Sequence, residues 1–544
     1  MKRYIKSILG ISLATVCLST VTSCIEETEP TAYATVDQVA TSSSASEALE
    51  MAQPAYFNNL YDDDYHYSFG YGAMMRIRDV QCGDFCFSMT SYNHFTNWER
   101  NKYQGDGYAI GQFIWNYYYK FVLTANNMIG GVNPESATKE QLGFLGTGYA
   151  FRAMVYLDLA RLYEFLPNDK TSNINKNGND VLHLTVPIVT DTTSTEKATN
   201  NPRATREQMA AFIGQDLDLA EQYIVNLPST QGKVLPDLAC VYGLKARLYM
   251  WLEDYANAQK YARLAINSAS VGPMTQSECL SKTTGFNIVD PWMWGAQQTS
   301  EDDVVQTGII NWTSWSANEL TFGYCGLGTG LYNEIDRKMY ERISDSDFRK
   351  LWWKAPEGSP LLDQNQFLIP EQKTFDEESS YYMPAYASLK FRPGSGNPDD
   401  YVTGASTAYP IMRVEEMYFI EAEAAAHQSD AQGQDLINSF MQNYRNPNYN
   451  TKLTGEELVE EIVFQKRVEL WGEGQSFFDI KRLNYSVTRG YPGTNHFSDA
   501  RLNTNGRPAY MNYVMVRTEA NNNKAVDGWN NPDPSDVYDV WKEE

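Results

Sequence analysis

Along this chain the hydrophobic positions form a short apolar run behind a basic start, then several stripes of helical period, then a long stretch without period. Lys2, Arg3 and Lys6 precede an apolar run from Ile8 to Val21 that ends at Thr22, Ser23 and Cys24. A run this short, with basic residues before it and small residues after it, predicts a signal peptide over residues 1–23, not a membrane span. Thr31 to Ser46 is rich in Thr, Ser and Ala and reads as a tether, so residues 24–46 link that start to the body. From Gln141 to Phe165, Tyr149, Ala153, Tyr156, Ala160 and Tyr163 recur at spacings of three and four, the stripe of an amphipathic helix that Pro167 stops. A second helix is predicted from Thr205 to Leu227, opened by a capping box of Thr205 and Gln208.

Asp237 to Ile266 gives the strongest fold signal in the body. Tyr242, Ala246 and Tyr249 share one helix, Tyr255, Ala258 and Ala265 share the next, and a turn is expected near Glu253 and Asp254. Those offsets match tetratricopeptide units, in which small residues let two helices approach and aromatics fill the space between repeats. Pro410 to His427 with Asp435 to Tyr444 is a further candidate pair. Such units bury their faces only by stacking, so three or four of them make one superhelical body. Between Asn267 and Tyr409, Gly, Pro, Asn and Trp are frequent, which predicts long loops mounted on the helical frame. The expected division is residues 47–285 for an N-terminal helical part and 286–544 for a C-terminal part carrying loops and further helices.

The small pair before Cys24 adds an anchor to this picture. Val21-Thr22-Ser23-Cys24 resembles a bacterial lipobox, so Cys24 is expected to be lipidated and to begin the mature chain. Several acyl chains hold a protein firmly on a bilayer, each buried methylene contributing about 0.8 kcal/mol. The acidic Ile25 to Glu29 segment is similar to the run that sends Bacteroidetes lipoproteins to the cell surface. With 544 residues and a net charge of −24, the chain can bury a sizeable core but lacks the clustered cations that nucleic acid requires. After Cys17 and Cys24, five cysteines remain: Cys82, Cys86, Cys240, Cys279 and Cys325. An odd number argues against a disulfide framework, although Cys82 and Cys86 could pair, and one CxxxC is weak evidence for zinc.

With lipobox, repeat helices and loop-rich insert together, the chain resembles the SusD/RagB family of nutrient-binding outer-membrane lipoproteins. Tyr409 to Ala426 is similar to the family's Arg-bearing helix with an Ala-Glu-Ala end, and Ile462 to Leu483 to its Glu-Leu-x-Gly-Glu-Gly segment. Phe113 to Ile129, Arg152 to Tyr163 and Val186-Pro187-Ile188 match in the family's order. The resemblance implies an all-α fold of four tetratricopeptide-like units. It also implies a lid on a SusC-like TonB-dependent transporter that captures an oligosaccharide, or in some members a peptide, without catalysis.

Several side chains could carry chemistry. Glu469 and Glu473 lie about 6 Å apart if they share one helical turn, and paired carboxylates serve glycosidases. Carboxylates on one helix face do not face each other across a scissile bond, so ion pairs with Arg467, Lys481 and Arg482 are expected instead. Glu421 and Glu423, two apart on a helix, point in different directions. Tyr61 to Tyr65 holds three aspartates that could attract a structural calcium, the alternative being a solvated acidic turn. No other cofactor is expected.

Aromatic-rich loops are the favoured site. Tyr92, His94, Phe95, Trp98 and Tyr103 crowd one segment with Asn93, Asn97 and Arg100, while Trp292, Trp294, Trp312, Trp315 and Tyr324 crowd another. Rings can stack on the C–H face of a sugar while amides and guanidiniums reach its hydroxyls. The ligand set expected is Tyr92, Asn97, Trp98, Arg100, Trp292, Trp294, Trp312, Trp315 and Tyr324. Trp115, Trp251 and Trp471 lie in helical motifs and are expected in the core. On this reading, replacing Trp98 and Trp315 by Ala weakens glycan binding with little loss of stability. Rival readings are a surface glycoside hydrolase that depends on Glu473 and a scaffold that only docks proteins.

Overall fold

The computed structural model describes residues 42–88, 92–369, 383–394 and 398–543, so the signal segment, Cys24 and most of the tether lie outside the described residues. Eleven helices build the frame. They are α1 (Ser43–Tyr56), α2 (Tyr71–Gln81), α3 (Ala109–Gly130), α4 (Lys139–Tyr163), α5 (Arg206–Ile224), α6 (Leu238–Leu252), α7 (Tyr255–Ser268), α8 (Val414–Ala426), α9 (Asp430–Tyr444), α10 (Gly455–Glu469) and α11 (Ser476–Arg482). From α3 to α10 each packs on the next in a continuous row, although 145 residues separate α7 from α8 along the chain. This is the stack of helix pairs that the repeat pattern predicts.

Local sequence explains the individual ends. Thr138 with Gln141 and Thr205 with Gln208 form reciprocal capping boxes that satisfy the first amides of α4 and α5. Between α6 and α7, Glu253 adopts a left-handed φ of 60° and Asp254 accepts from the Asn257 amide, so two residues reverse the chain. Gly146 sets the α4–α5 distance. A Cβ there would lie 2.5 Å from the Ile224 amide nitrogen, a contact no side chain tolerates.

One helix prediction is corrected. Residues 408–412, read as the start of a helix at Pro410, are strand β4 (Ala408–Met412), which pairs antiparallel with β2 (Trp294–Gln297) and places Pro410 opposite Gly295. The helix starts only at Val414, after an extended Arg413. The partner strand lies more than 100 residues upstream, so no local pattern reveals the pairing. A second small ribbon joins β1 (Phe85–Phe87) to β3 (Asn333–Ile335). The second helix of that pair begins at Asp430, five residues before the expected Asp435.

The loop-rich insert between α7 and β4 contributes short helices, including Trp312–Ser316, and a large share of the buried aromatic core. Among the described residues no helix is long and apolar enough to cross a membrane.

Candidate functional site

The carboxylate pair is buried and neutralised. Glu469 ends α10, and Glu473 lies beyond it past the left-handed Gly472, so the two do not share a helical turn. Glu469 accepts from Arg445 (2.7 and 2.9 Å), Arg413 (3.1 Å) and Arg349 (3.2 Å). Glu473 accepts from Lys390 (2.6 Å) and Arg413 (3.0 Å). Burial pushes the Glu469 carboxyl up, but Arg445, Arg413 and Arg349 outweigh it and hold the group well below its ordinary range. The expectation of ion pairing holds with different partners. Arg467 pairs with Asp84, Arg482 with Glu423 and Asp479, and Lys481 donates to the carbonyls of Arg161, Leu162 and Glu164. Glu421 meets Arg263. All these groups hold the frame together.

The aromatic segments form two layers. In the lower layer Trp315 is fully buried and Trp98 is 1% exposed, with Phe95 edge-on to Trp315 at 4.9 Å. Arg76 of α2 lies 5.1 Å from the Trp315 ring and 5.3 Å from Phe95, and donates to Asn333 Oδ1 at 2.6 Å. Asn333 in turn donates to the Trp315 carbonyl at 2.8 Å. A buried cation caged by rings and fixed by an amide makes this floor rigid.

Above the floor lies a half-exposed layer. His66 stacks on His94 at 4.5 Å, and both stand edge-on to Tyr324 at 5.5 and 5.3 Å. Tyr324 stacks on Trp315 at 4.3 Å, and the Trp315 indole donates to the His66 carbonyl at 3.1 Å. Tyr67 stands edge-on to Trp98 at 5.1 Å and stacks with Tyr65 at 5.5 Å. Tyr92 is 52% exposed. Burial and the Tyr92 hydroxyl push Tyr324 up to about 12, and burial together with His66 lowers His94, so both groups are neutral at pH 7, Tyr324 buried and His94 half-exposed.

This geometry corrects the expected ligand set. Trp98, Trp292, Trp294, Trp312, Trp315 and Tyr324 are buried and, as they stand, offer no open face to a ligand. Trp294 packs on Phe57 and Phe151, and Trp312 stacks on Tyr409 at 5.3 Å, both beside the β2–β4 ribbon. Trp292 packs on Phe286. Their indoles fill gaps between loops and frame, where burying a large ring stabilises most. Trp98, Trp315 and Tyr324 support the half-exposed layer, whereas Trp292, Trp294 and Trp312 belong to the general core. Tyr92, Asn97 and Arg100 retain exposure, and Arg100 pairs with Asp499 at 2.6 Å.

The sequence reading missed Tyr65, His66 and Tyr67, because the three aspartates beside them gave the segment the look of a solvated turn. The density of rings from Tyr61 to Phe69 was the available signal. Oxygens of Asp62, Asp63 and Asp64 lie within 4.8 Å of one another, and Asp62 already accepts from the Asp64 amide. All five cysteines of the body are free and buried, with Cys82 donating to the Arg78 carbonyl and Cys86 to that of Glu334.

Residues 336–540 match the model of the SusD family, and residues 74–250 match a SusD-like model described as starch-binding associating with outer membrane. No curated protein matches the chain. Among solved structures, a SusD-like carbohydrate binding protein from Bacteroides vulgatus ATCC 8482 superposes with a TM-score of 0.69 at 23% identity, covering 89% of this chain and 96% of that one. A SusD superfamily protein from Bacteroides thetaiotaomicron VPI-5482 gives 0.63 at 17%, covering 90% and 99%. A laminarin binding SusD-like protein gives 0.55 at 17%, covering 81% and 91%. These identities carry the fold. Two family matches that run in order through both halves of one stacked helical frame make this chain a member of the SusD/RagB family.

Proposed function

We propose that this protein binds an oligosaccharide on the half-exposed ring layer and passes it, without cleaving it, to a SusC-like TonB-dependent transporter. The observation that supports the reading is the pairing of the Trp98–Trp315 floor with half-exposed Tyr65, His66, Tyr67 and His94 and exposed Tyr92 above it. Rings whose orientation is fixed before binding lose little entropy when a sugar stacks on them, and neighbouring hydroxyl and imidazole groups select its hydroxyls. The carbohydrate-binding and starch-binding descriptions of the matched structure and family model favour a glycan over a peptide. Lipidation at Cys24 would hold the protein on the outer membrane, facing the cell exterior.

The test is binding of the purified mature chain to an array of oligosaccharides, glycoproteins and peptides. A hit on one glycan class that weakens about tenfold in Tyr92→Ala supports the reading. Binding confined to peptides, or release of sugar from a bound polysaccharide, would overturn it.

A further inference from the structure

A second cleft lies away from the ring layer, between the 170s loop and the C-terminal segment. It encloses about 300 Å³, the lower end of the range for small-molecule sites. Its walls are fixed by buried or half-buried amides. Asn175 donates to the carbonyls of Gly528 (2.9 Å) and Asn530 (3.0 Å), and Asn179 donates to Gly528 (2.8 Å). Asn530 exchanges two hydrogen bonds with the Met515 backbone, and Asn531 donates to the carbonyls of Tyr163 and Tyr513. These contacts lock two loops whose bonded residues are 353 and 355 apart in sequence.

With those amides committed, another set of lining groups is left over. The side chains of Lys176, Asn177, Asp106 and Asp527 line the cleft and make no hydrogen bond with any described residue. Exposed rings adjoin lining residues in the chain, although they are not themselves part of the lining. Trp529, between the lining Gly528 and Asn530, is 40% exposed and is the most exposed tryptophan among the described residues. Tyr103 and Tyr108, on either side of Asp106 in the chain, are 50% and 44% exposed, and their rings lie 5.1 Å apart. Most other described tryptophans are buried in the core, where hydrophobic burial favours them. An exposed indole next in sequence to lining residues has the amphipathic make-up of a sugar contact.

We infer that this cleft is a second glycan-binding site, selective for neutral sugars. The inference rests on the carbohydrate-binding reading of the protein. Asp106 and Asp527 would accept from sugar hydroxyls, Asn177 would accept and donate, and Trp529 at the cleft's edge in the chain would supply the stacking face. Asp106, Asp527 and Asp533 against one Lys176 make the cleft anionic, so uronates and sulfated sugars are repelled. Two sites on one rigid frame raise the avidity for a long chain that can reach both.

The experiment compares wild type, Trp529→Ala, Asn177→Ala and Tyr92→Ala for binding neutral linear hexasaccharides of α-glucan, β-glucan and mannan, with an oligogalacturonate as the acidic counterpart. Thermal melts accompany each variant. The expected result is a neutral glycan whose binding weakens about fivefold to tenfold in Trp529→Ala and also falls in Asn177→Ala, with melting unchanged and no oligogalacturonate binding at the cleft. Binding lost in Tyr92→Ala but unchanged in both cleft variants overturns the second site and leaves the ring layer standing. Loss in the cleft variants with none in Tyr92→Ala upholds the cleft and removes the ring layer. A wild-type chain that binds none of the neutral probes overturns both.

Discussion

The charge centre around Glu469 and the ring stack around Trp315 are both buried, yet they end differently. Glu469 and Glu473 are closed in by Arg349, Lys390, Arg413 and Arg445, with every charge answered inside the protein. The Trp315 stack closes on one side only. Its other side continues through Tyr324 and Trp98 into His66, His94, Tyr65 and Tyr67, which reach solvent. Burial by itself therefore does not mark a site. What matters is whether a buried group completes a closed network or supports a layer that faces outward.

That contrast can be broken at its closed end first. Glu469→Ala leaves three guanidiniums buried without their shared anion, and removing one partner of a buried ionic network costs about 3–5 kcal/mol or more. Soluble yield and the denaturation midpoint should collapse, and near-wild-type stability would show that the centre holds little of the frame. Trp315→Ala comes next. It should lower stability by about 3 kcal/mol, through the cavity it leaves and the floor it removes. This replaces the sequence-based expectation that Trp98 and Trp315 could be removed with little loss of stability.

Tyr92→Ala sharpens the open end. Chemical denaturation should place its stability within about 0.5 kcal/mol of wild type. A stability loss as large as that of Trp315→Ala would place Tyr92 in the floor instead of the facing layer.

The smallest effect concerns pH. Burial, with Glu47 and Glu140 adding to it, raises Glu50 from 4.5 to about 8. The folded chain then binds this proton more tightly than the unfolded one. The stabilisation is fully present below about pH 4.5 and is lost as pH rises towards 8. Glu469 works oppositely, losing its contribution as pH falls below the ordinary carboxylate range. Glu50→Gln should raise the melting temperature by about 2 °C at pH 8 and leave it unchanged at pH 4.5. An equal shift at both pH values would mean that Glu50 does not titrate in this way.

The helical frame was legible because its rules are local. The capping box at Thr205, the two-residue reversal at Glu253 and Asp254, and the small-residue and Tyr spacings of α4, α6 and α7 each act within one or two turns. The site was legible only in composition. Nothing within a few residues of Trp315 tells whether its ring faces water or Arg76, because its neighbours come from residues 66, 76, 94 and 324. The β2–β4 pairing that replaced the start of a helix, and the amides that join the 170s loop to residues 528–531, likewise depend on contacts across more than 100 residues. Sequence alone determined the frame and the abundance of rings, since propensity and periodicity are properties of neighbouring residues. Which rings form the floor and which face outward was decided by tertiary structure, because burial is a property of the surfaces that distant segments bring together.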